Sequence, residues 1–356
     1  YDKPRSNKPS VVGAKENIII GSKTLEGLRA LAKQNNCTLY MLLLCIFKIL
    51  LYRYSSQRDI IVGSPFTGRS KSQFSDLIGY FVNPIALRSF PDGLKSFTQY
   101  LSEIRFVVLQ ALANQDFSFS LLVERLQPDR DKNTWPFYQV MFVMQEDEQS
   151  HTGVSALALG IDGVKLDWPE LQVTSAAVKD PIVQFDLTMF TAVNQDELLI
   201  SLEYDSSLFY RDTIMRMLGH FQNLTKSIQL NSNQKLYELP IYSGLELNSL
   251  INGFNATVAD YPQGKCVHQL FEEQAKANPE ATALVYEGEC LSYGGLNRHA
   301  NRVAHRLIEL GVKPDGRVAI CAGRGFEMVV VLLGILKAGG CYVPLDPDYP
   351  EERLAY

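Results

Sequence analysis

Five histidines, His151, His220, His268, His299 and His305, are the side chains best suited to moving a proton near neutral pH. A histidine base needs an oriented partner, and here no two histidines adjoin. His220, His299 and His305 fall in helical patterns, which favours packed or solvated rings over a catalytic constellation. The six cysteines, Cys37, Cys45, Cys266, Cys290, Cys321 and Cys341, show no CxxC spacing and mostly sit in apolar runs, so buried, reduced thiols are expected rather than disulfides or metal ligands. Gly323-Arg324-Gly325 lacks the glycine spacing and the lysine that hold a triphosphate. What remains is residues 77–88, LIGYFVNPIALR, where Gly79 beside Tyr80 and Phe81 indicates a close backbone approach and Asn83 before Pro84 marks a turn. By residue type alone, Asn83 caps that turn and Arg88 solvates a strand end.

The elements that must position these groups follow from periodicity. Apolar residues at Leu25, Leu28, Leu31 and Ala32 predict a helix that fails at Gln34-Asn35-Asn36, and Thr38 then offers an N-cap for a very apolar helix over residues 39–54. Residues 60–63 suit a buried strand, residues 97–114 a helix and residues 137–144 a strand. Residues 183–193 and 198–204 are strand-like runs joined by a hairpin at 194–197, and residues 208–228 return to helical period. Residues 231–264 are richer in Asn, Gly and Pro and read as a linker. Beyond them come a helix at 267–277, a hairpin at 283–293, and helix, strand, helix, strand at 296–310, 318–321, 326–337 and 341–343, the last three forming a βαβ unit. The fold class expected is α/β: a two-layer lobe with a mixed sheet, a linker, then the start of a parallel α/β domain.

Composition sets the boundaries. A chain of 356 residues with 46% hydrophobic and 21% charged residues has ample material for two or three domains. A net charge of -5 with scattered Lys and Arg gives no basic field, so nucleic acid is not an expected partner. The apolar runs 39–47 and 328–336 fall short of the roughly 18 residues that cross a bilayer, so no membrane partner is expected and both runs read as buried helices, each followed by a lysine, Lys48 and Lys337. The first ten residues lack a signal-peptide layout, and residues 351–356 stop within a helical pattern. The chain is therefore expected to be an excerpt of a larger cytoplasmic enzyme.

Several segments resemble one family in order. Residues 77–88; NQDFSFSLLVERL at 114–126, similar to HQDYPFEKLVE; RDKNTWPFYQVMF at 130–142, similar to RDxSRxPLFQVMF; and QFDLT at 184–188, similar to an FDLTL strand, all resemble the C-terminal half of a nonribosomal peptide synthetase condensation domain. Residues 203–217 resemble that domain's closing helix. LFEEQ at 270–274, LSY at 291–293 with Leu296-Asn297, and residues 336–353 resemble the start of an amino-acid adenylation domain. There are departures from the family pattern: Asn114 for His, Ser120 for Glu, Asn133 and Thr134 for Ser and Arg, Pro84 for Thr, and Gly295 for Glu or Gln. Since glycine costs up to about 1 kcal/mol inside a helix, Gly295 is expected to shift that helix start to Asn297. Phe117, Phe119, Leu122 and Leu126 are expected to anchor a helix that Asp116 caps.

The resemblance implies a chloramphenicol acetyltransferase-like C-terminal lobe over 1–230, a linker over 231–264 and the N-terminal part of an adenylate-forming, acyl-CoA synthetase-like domain over 265–356. It implies amide-bond formation between carrier-bound acyl or peptidyl and aminoacyl thioesters, in antibiotic or toxin biosynthesis. Partners would be peptidyl carrier domains upstream and downstream, the N-terminal lobe of the condensation domain and the rest of the adenylation domain. Phosphopantetheine on the carriers, and ATP and Mg, would serve the parent enzyme, with no cofactor and no metal bound by this segment. The HHxxxDG signature is absent, so no catalytic residue is assigned, the segment alone is expected to be inactive, and Asn83, Arg88 and Gln139 are the substrate-channel candidates. Two other readings stand beside this one: a non-catalytic scaffold orienting carrier and adenylation domains, and a coenzyme A-dependent acyltransferase.

Overall fold

A computed structural model describes residues 1–6, 12–69, 73, 77–127, 135–145, 159, 162, 163, 165–168, 171–176, 182–194 and 196–355. They form two compact units, Tyr1–Ala256 and Thr257–Tyr356. Of the expected features, His151, Arg130, Asp131, Asn133 and Thr134 lie outside the described residues.

The first unit is built on a six-stranded mixed sheet. Its strands are β1 (Gly13–Ile20), β2 (Ile60–Phe66), β3 (Asn83–Ser89), β4 (Val140–Gln145), a hairpin β5 (Lys165–Trp168) and β6 (Leu171–Thr174) that stands apart, β7 (Leu187–Asn194) and β8 (Glu197–Asp205). The sheet order is β1-β8-β7-β4-β2-β3, with β2, β4 and β7 parallel and the other pairings antiparallel. Helices α1 (Ser22–Gln34), α2 (Leu39–Ser55), α3 (Phe97–Ala113) and α5 (Arg211–Leu230) cover one face, while the short α4 (Phe119–Leu126) covers Ile61, Ala86 and Met141 on the other. α2 is apolar all round, and every residue from Met41 to Leu50 is buried, which is how a helix without a polar face must lie. Thr38 caps it as expected, accepting the N–H of Met41 at 3.2 Å.

Segment 231–256 packs into this unit despite its linker-like composition. Leu236, Leu239 and Ile241 are buried in the main core. Arg53 of α2 donates to the carbonyls of Leu236 and Leu239 at 3.2 and 2.8 Å, and Asn223 of α5 donates to that of Ile241 at 2.8 Å. His220 of α5, buried, sits between the Tyr54 hydroxyl at 2.8 Å from Nδ1 and the Glu246 carboxylate at 2.9 Å from Nε2, joining the helix α6 (Gly244–Asn248) to the unit.

The second unit holds α7 (Val267–Ala277), the hairpin β9 (Thr282–Tyr286) and β10 (Glu289–Ser292), α8 (Tyr293–Glu309), the parallel pair β11 (Arg317–Cys321) and β12 (Cys341–Leu345) joined through α9 (Phe326–Lys337), and a final short α10 (Glu351–Ala355). α8 begins at Tyr293 rather than at the expected Asn297. Ser292 accepts the N–H of Gly295 at 3.2 Å, and this cap outweighs the low helix propensity of Gly294 and Gly295. A Cβ at Gly334 would stand 2.6 Å from Val303, so this glycine lets α8 and α9 approach closely. The Lys337 side chain is buried and donates to Asn297 and Asn301 at 2.7 and 2.9 Å and to Glu272, so one ammonium ties α7, α8 and α9 together.

Three other expectations are corrected. Phe119 is buried, but Phe117 and Leu126 are exposed, because α4 is short and lies on the sheet with one side only. The N-cap position of α4 is Ser118, not Asp116. All six cysteines are free, yet only Cys45 is fully buried; in the second unit Cys266, at the N-cap of α7, and Cys290, Cys321 and Cys341, on short strands that bury few of their side chains, are exposed. No single helix among the described residues is long and apolar enough to cross a membrane.

Candidate functional site

Asn83 opens β3 opposite Phe66, the last residue of β2, so it stands at the sheet end where one strand leaves and its neighbour arrives. The two ends of the connection between β2 and β3 meet there. Gly68 has φ 64°, and a Cβ on it would lie 2.0 Å from the Phe81 carbonyl oxygen, which leaves room for glycine alone. The Arg69 guanidinium lies over the Phe81 ring at 4.5 Å.

Asn83 fastens the loop before α4 beside this connection. Its Nδ2 donates to the carbonyl oxygens of Gln115 and Phe117, each at 2.9 Å, and its Oδ1 accepts the N–H of Phe119 at 3.2 Å. Both amide hydrogens are thereby used. Phe119 is the first residue of α4, and Ser118 at its N-cap makes no side-chain hydrogen bond, so the cap comes from Asn83, distant in sequence. Beside this junction Ile78 and Tyr80 project almost wholly into solvent, with Phe117 partly exposed.

Arg88 stands five residues further along β3, about 17 Å away at the usual rise, and the odd spacing turns it to the opposite sheet face. It forms a two-pronged pair with Asp59 at 2.9 and 2.7 Å, and this hydrogen-bonded guanidinium lowers the Asp59 carboxyl below its ordinary range. With Phe90, Phe106 and Val107 it borders an apolar groove of about 410 Å³. Gln139 precedes β4; its Nε2 donates to the Trp135 carbonyl at 3.1 Å, and its own carbonyl accepts the N–H of Asp186 at 3.0 Å. Because Met141 faces Gly63, Gln139 is level with Ile61, whose β3 partner is Arg88. Gln139 and Arg88 thus lie toward one end of the sheet, two strand spacings or about 10 Å apart, and Asn83 toward the other. The three candidates do not converge on one point.

Two polar clusters escaped the sequence reading. Lys48, buried in α2, donates to the carbonyls of Ile60 and Leu87 at 3.1 and 2.7 Å and to Ser89 Oγ at 2.9 Å, and Ser89 continues to the Tyr100 hydroxyl at 2.9 Å. Burial pulls the Lys48 ammonium down to about 7. The signal was a single charge in an apolar helical run, read only as the end of that run. Asp186, buried just before β7, accepts the Tyr1 hydroxyl at 2.6 Å and the Arg5 guanidinium; burial and this hydrogen bond push the Tyr1 phenol up. Nothing local marks residues 1 and 5 as partners of position 186.

Among the described histidines only His220 is deeply buried in the first unit, and it is engaged by Tyr54 and Glu246 on the helical layer. Among the described residues no group of three metal-ligating side chains comes together. At Gly323-Arg324-Gly325, which leads into α9, the first turn carries Glu327, whose charge opposes a phosphate. These residues do not fit ATP.

Residues 1–251 match the condensation domain family model, and residues 271–356 match the AMP-binding enzyme model. The chain is 38% identical to bacitracin synthase 3 of Bacillus licheniformis, over 100% of this chain and 5% of that protein. It is also 38% identical to tyrocidine synthase 3 of Brevibacillus parabrevis, again over 100% of this chain and 5% of that protein. The chain therefore spans a small part of the curated relatives it matches. The crystal structure of a four-domain nonribosomal peptide synthetase bound to AMP and glycine superposes with a TM-score of 0.84 at 26% identity, covering 99% of this chain and 27% of that one.

Proposed function

The chain belongs to the condensation domain family, with the start of an AMP-binding enzyme following it, and from that premise we propose that it works as part of a modular nonribosomal peptide synthetase. The reaction of its first unit is transfer of a carrier-bound acyl or peptidyl group from its thioester to the amine of a carrier-bound aminoacyl thioester. The amine forms the amide bond, the donor thiolate leaves, and the amine's surplus proton passes to a base. The observation that carries this reading is the order of the two family segments along one chain, which a free-standing coenzyme A acyltransferase does not need.

In this reading the chain supplies one wall of the channel, with Asn83, Arg88 and Gln139 among its residues. The base comes from an N-terminal lobe that bears HHxxxDG. Division into a lobe at 1–230, a linker at 231–264 and an adenylation segment at 265–356 belongs to the same proposal. So do carrier domains on both sides as partners, phosphopantetheine on those carriers, ATP and Mg at the completed adenylation domain, and a cytoplasmic location. Residues 1–356 alone are inactive in both reactions.

The test supplies donor-loaded and acceptor-loaded carrier proteins to purified residues 1–356 and to the synthetase that contains them. Mass spectrometry should find the condensed thioester only with the synthetase. Product from residues 1–356 alone overturns the wall reading, and a synthetase with an intact upstream lobe but no product favours the scaffold.

A further inference from the structure

We propose that Asn83 is a positioning residue that holds the loop in front of α4 in shape, and that its side chain touches neither thioester. The proposal rests on the channel-wall reading above for what the loop does, and on geometry for how it is held. The amide's two hydrogens go to the carbonyls of Gln115 and Phe117 and its oxygen takes the N–H of Phe119, so all three contacts fall within one turn of chain. A substrate contact by either Asn83 hydrogen requires giving up one of these bonds. The carbonyls would then face only solvent, and the first N–H of α4 would lose its cap.

Backbone hydrogen bonds from Gln115 to Leu112 at 3.3 Å and from Phe117 to Asn114 at 3.1 Å shape the turn, and Asn83 ties it to the sheet. Ser118 provides no side-chain cap, and α4 is only eight residues long, too short to persist on local hydrogen bonds. Its anchor is Phe119, which packs on Phe137 and Tyr138 at ring distances of 6.0 and 5.5 Å. Asn83 sets the height of the loop above that anchor. The neighbouring junction of Gly68 with Phe81 fixes where β3 begins and so where Asn83 stands. The exposed Phe117 is the side chain whose placement these bonds determine, and in the channel-wall reading it belongs to the surface that meets the carrier-bound group.

Two variants and two readouts test this. Hydrogen exchange on the full chain should show protection over residues 115–122 falling at least about tenfold in Asn83→Ala, at every pH, with β2 unchanged. In Asn83→Asp a carboxylate oxygen faces the two carbonyls that received N–H, so protection falls at pH 7. It should return in part at pH 4 after correction for intrinsic exchange, because a carboxyl with an ordinary value of about 3.9 is then about half protonated and donates one hydrogen bond. In the synthetase, both variants should raise KM for the carrier-bound substrate about tenfold while kcat changes less than about threefold. Wild-type protection in Asn83→Ala overturns the clamp, as does loss of kcat with unchanged KM, which places Asn83 at the reacting atoms. If the wild-type synthetase forms no amide while the exchange results hold, the clamp stands and the functional reading fails instead.

Discussion

The two ends of β3 are held in opposite ways. At its first residue a neutral amide, Asn83, bonds backbone groups of a distant loop; at its last, a buried ammonium, Lys48, bonds the carbonyls of Ile60 and Leu87 and the hydroxyl of Ser89. Both satisfy backbone carbonyls with side-chain donors, those of the loop before α4 at one end and those of β2 and β3 at the other. An amide satisfies carbonyls without a charge and without sensitivity to pH. An ammonium supplies three donors from one atom, but burying it costs free energy that the three acceptors must offset. The difference teaches that the Asn83 end is built to keep a loop in place and the Lys48 end to seal a core.

The largest effect expected follows from Lys48. Lys48→Ala leaves two carbonyls short of a donor and opens a cavity between α2 and the β2–β3 pair, so urea denaturation should show a loss of about 3–5 kcal/mol. Lys48→Met keeps the volume and removes the buried charge, and should cost only about 1–2 kcal/mol. If the two variants are equally unstable, the three hydrogen bonds outweigh the cost of burying the charge.

The same lysine gives the pH dependence. Its folded value of about 7 lies below its ordinary 10.5, so between those pH values the unfolded chain binds a proton that the folded chain does not. Stability therefore rises with pH through this window, by up to about 1.4 kcal/mol per unit. Above about pH 10 the sign reverses. Burial raises the phenols of Tyr40, Tyr54 and Tyr138 to about 12, and such groups lose stability for the fold as their unfolded counterparts ionise. Lys48→Met should abolish the rise between pH 7 and 10 while leaving the decline above it. A wild-type chain whose stability is flat from pH 7 to 10 shows that Lys48 stays charged in the fold.

At the other end the critical position is Gly68. An alanine there must take φ near 64° and place its Cβ against the Phe81 carbonyl. The left-handed conformation costs about 1–2 kcal/mol, and relieving the clash adds about 1–3 more. Gly68→Ala should also reduce hydrogen-exchange protection over residues 115–122, because the start of β3 moves and Asn83 with it. Loss of stability with full protection of that loop separates the two junctions and weakens the comparison.

Much of this was readable in advance, and the unread part has a physical pattern. α1, α2, α3 and α5 announced themselves through apolar period, and Thr38 marked the start of α2 as it does in the structure. β1 did not: GAKENIII mixes polar and apolar residues without clean alternation, because β1 is an edge strand. The hairpin β5–β6 was missed as well, its strands only four residues each. At the site, Asn83 was singled out as a turn residue, but its real partners lie more than thirty positions away, and no local spacing encodes a tertiary cap. Lys48, Tyr1 and Arg5 were passed over for the same reason. A side chain's role is fixed by what the topology brings to it, and the sequence shows only its type.

The smallest effect on the fold is expected at Arg88. Its pair with Asp59 is well formed, yet both side chains are about half exposed, 59% and 47%, so water and salt compete with it. Arg88→Ala and Asp59→Asn should leave the urea midpoint where it is, in contrast to every variant at Lys48 or Gly68. That insensitivity makes Arg88 the cleanest probe of the proposed channel wall, because any change in amide formation cannot be assigned to unfolding. If Arg88 borders the path of a carrier-bound group, Arg88→Ala should raise KM in the synthetase roughly threefold or more, with Asp59→Asn giving less, since it releases the guanidinium without removing it. An Arg88→Ala synthetase with wild-type KM and kcat removes this residue from the wall, and leaves the functional end of β3 at Asn83 alone.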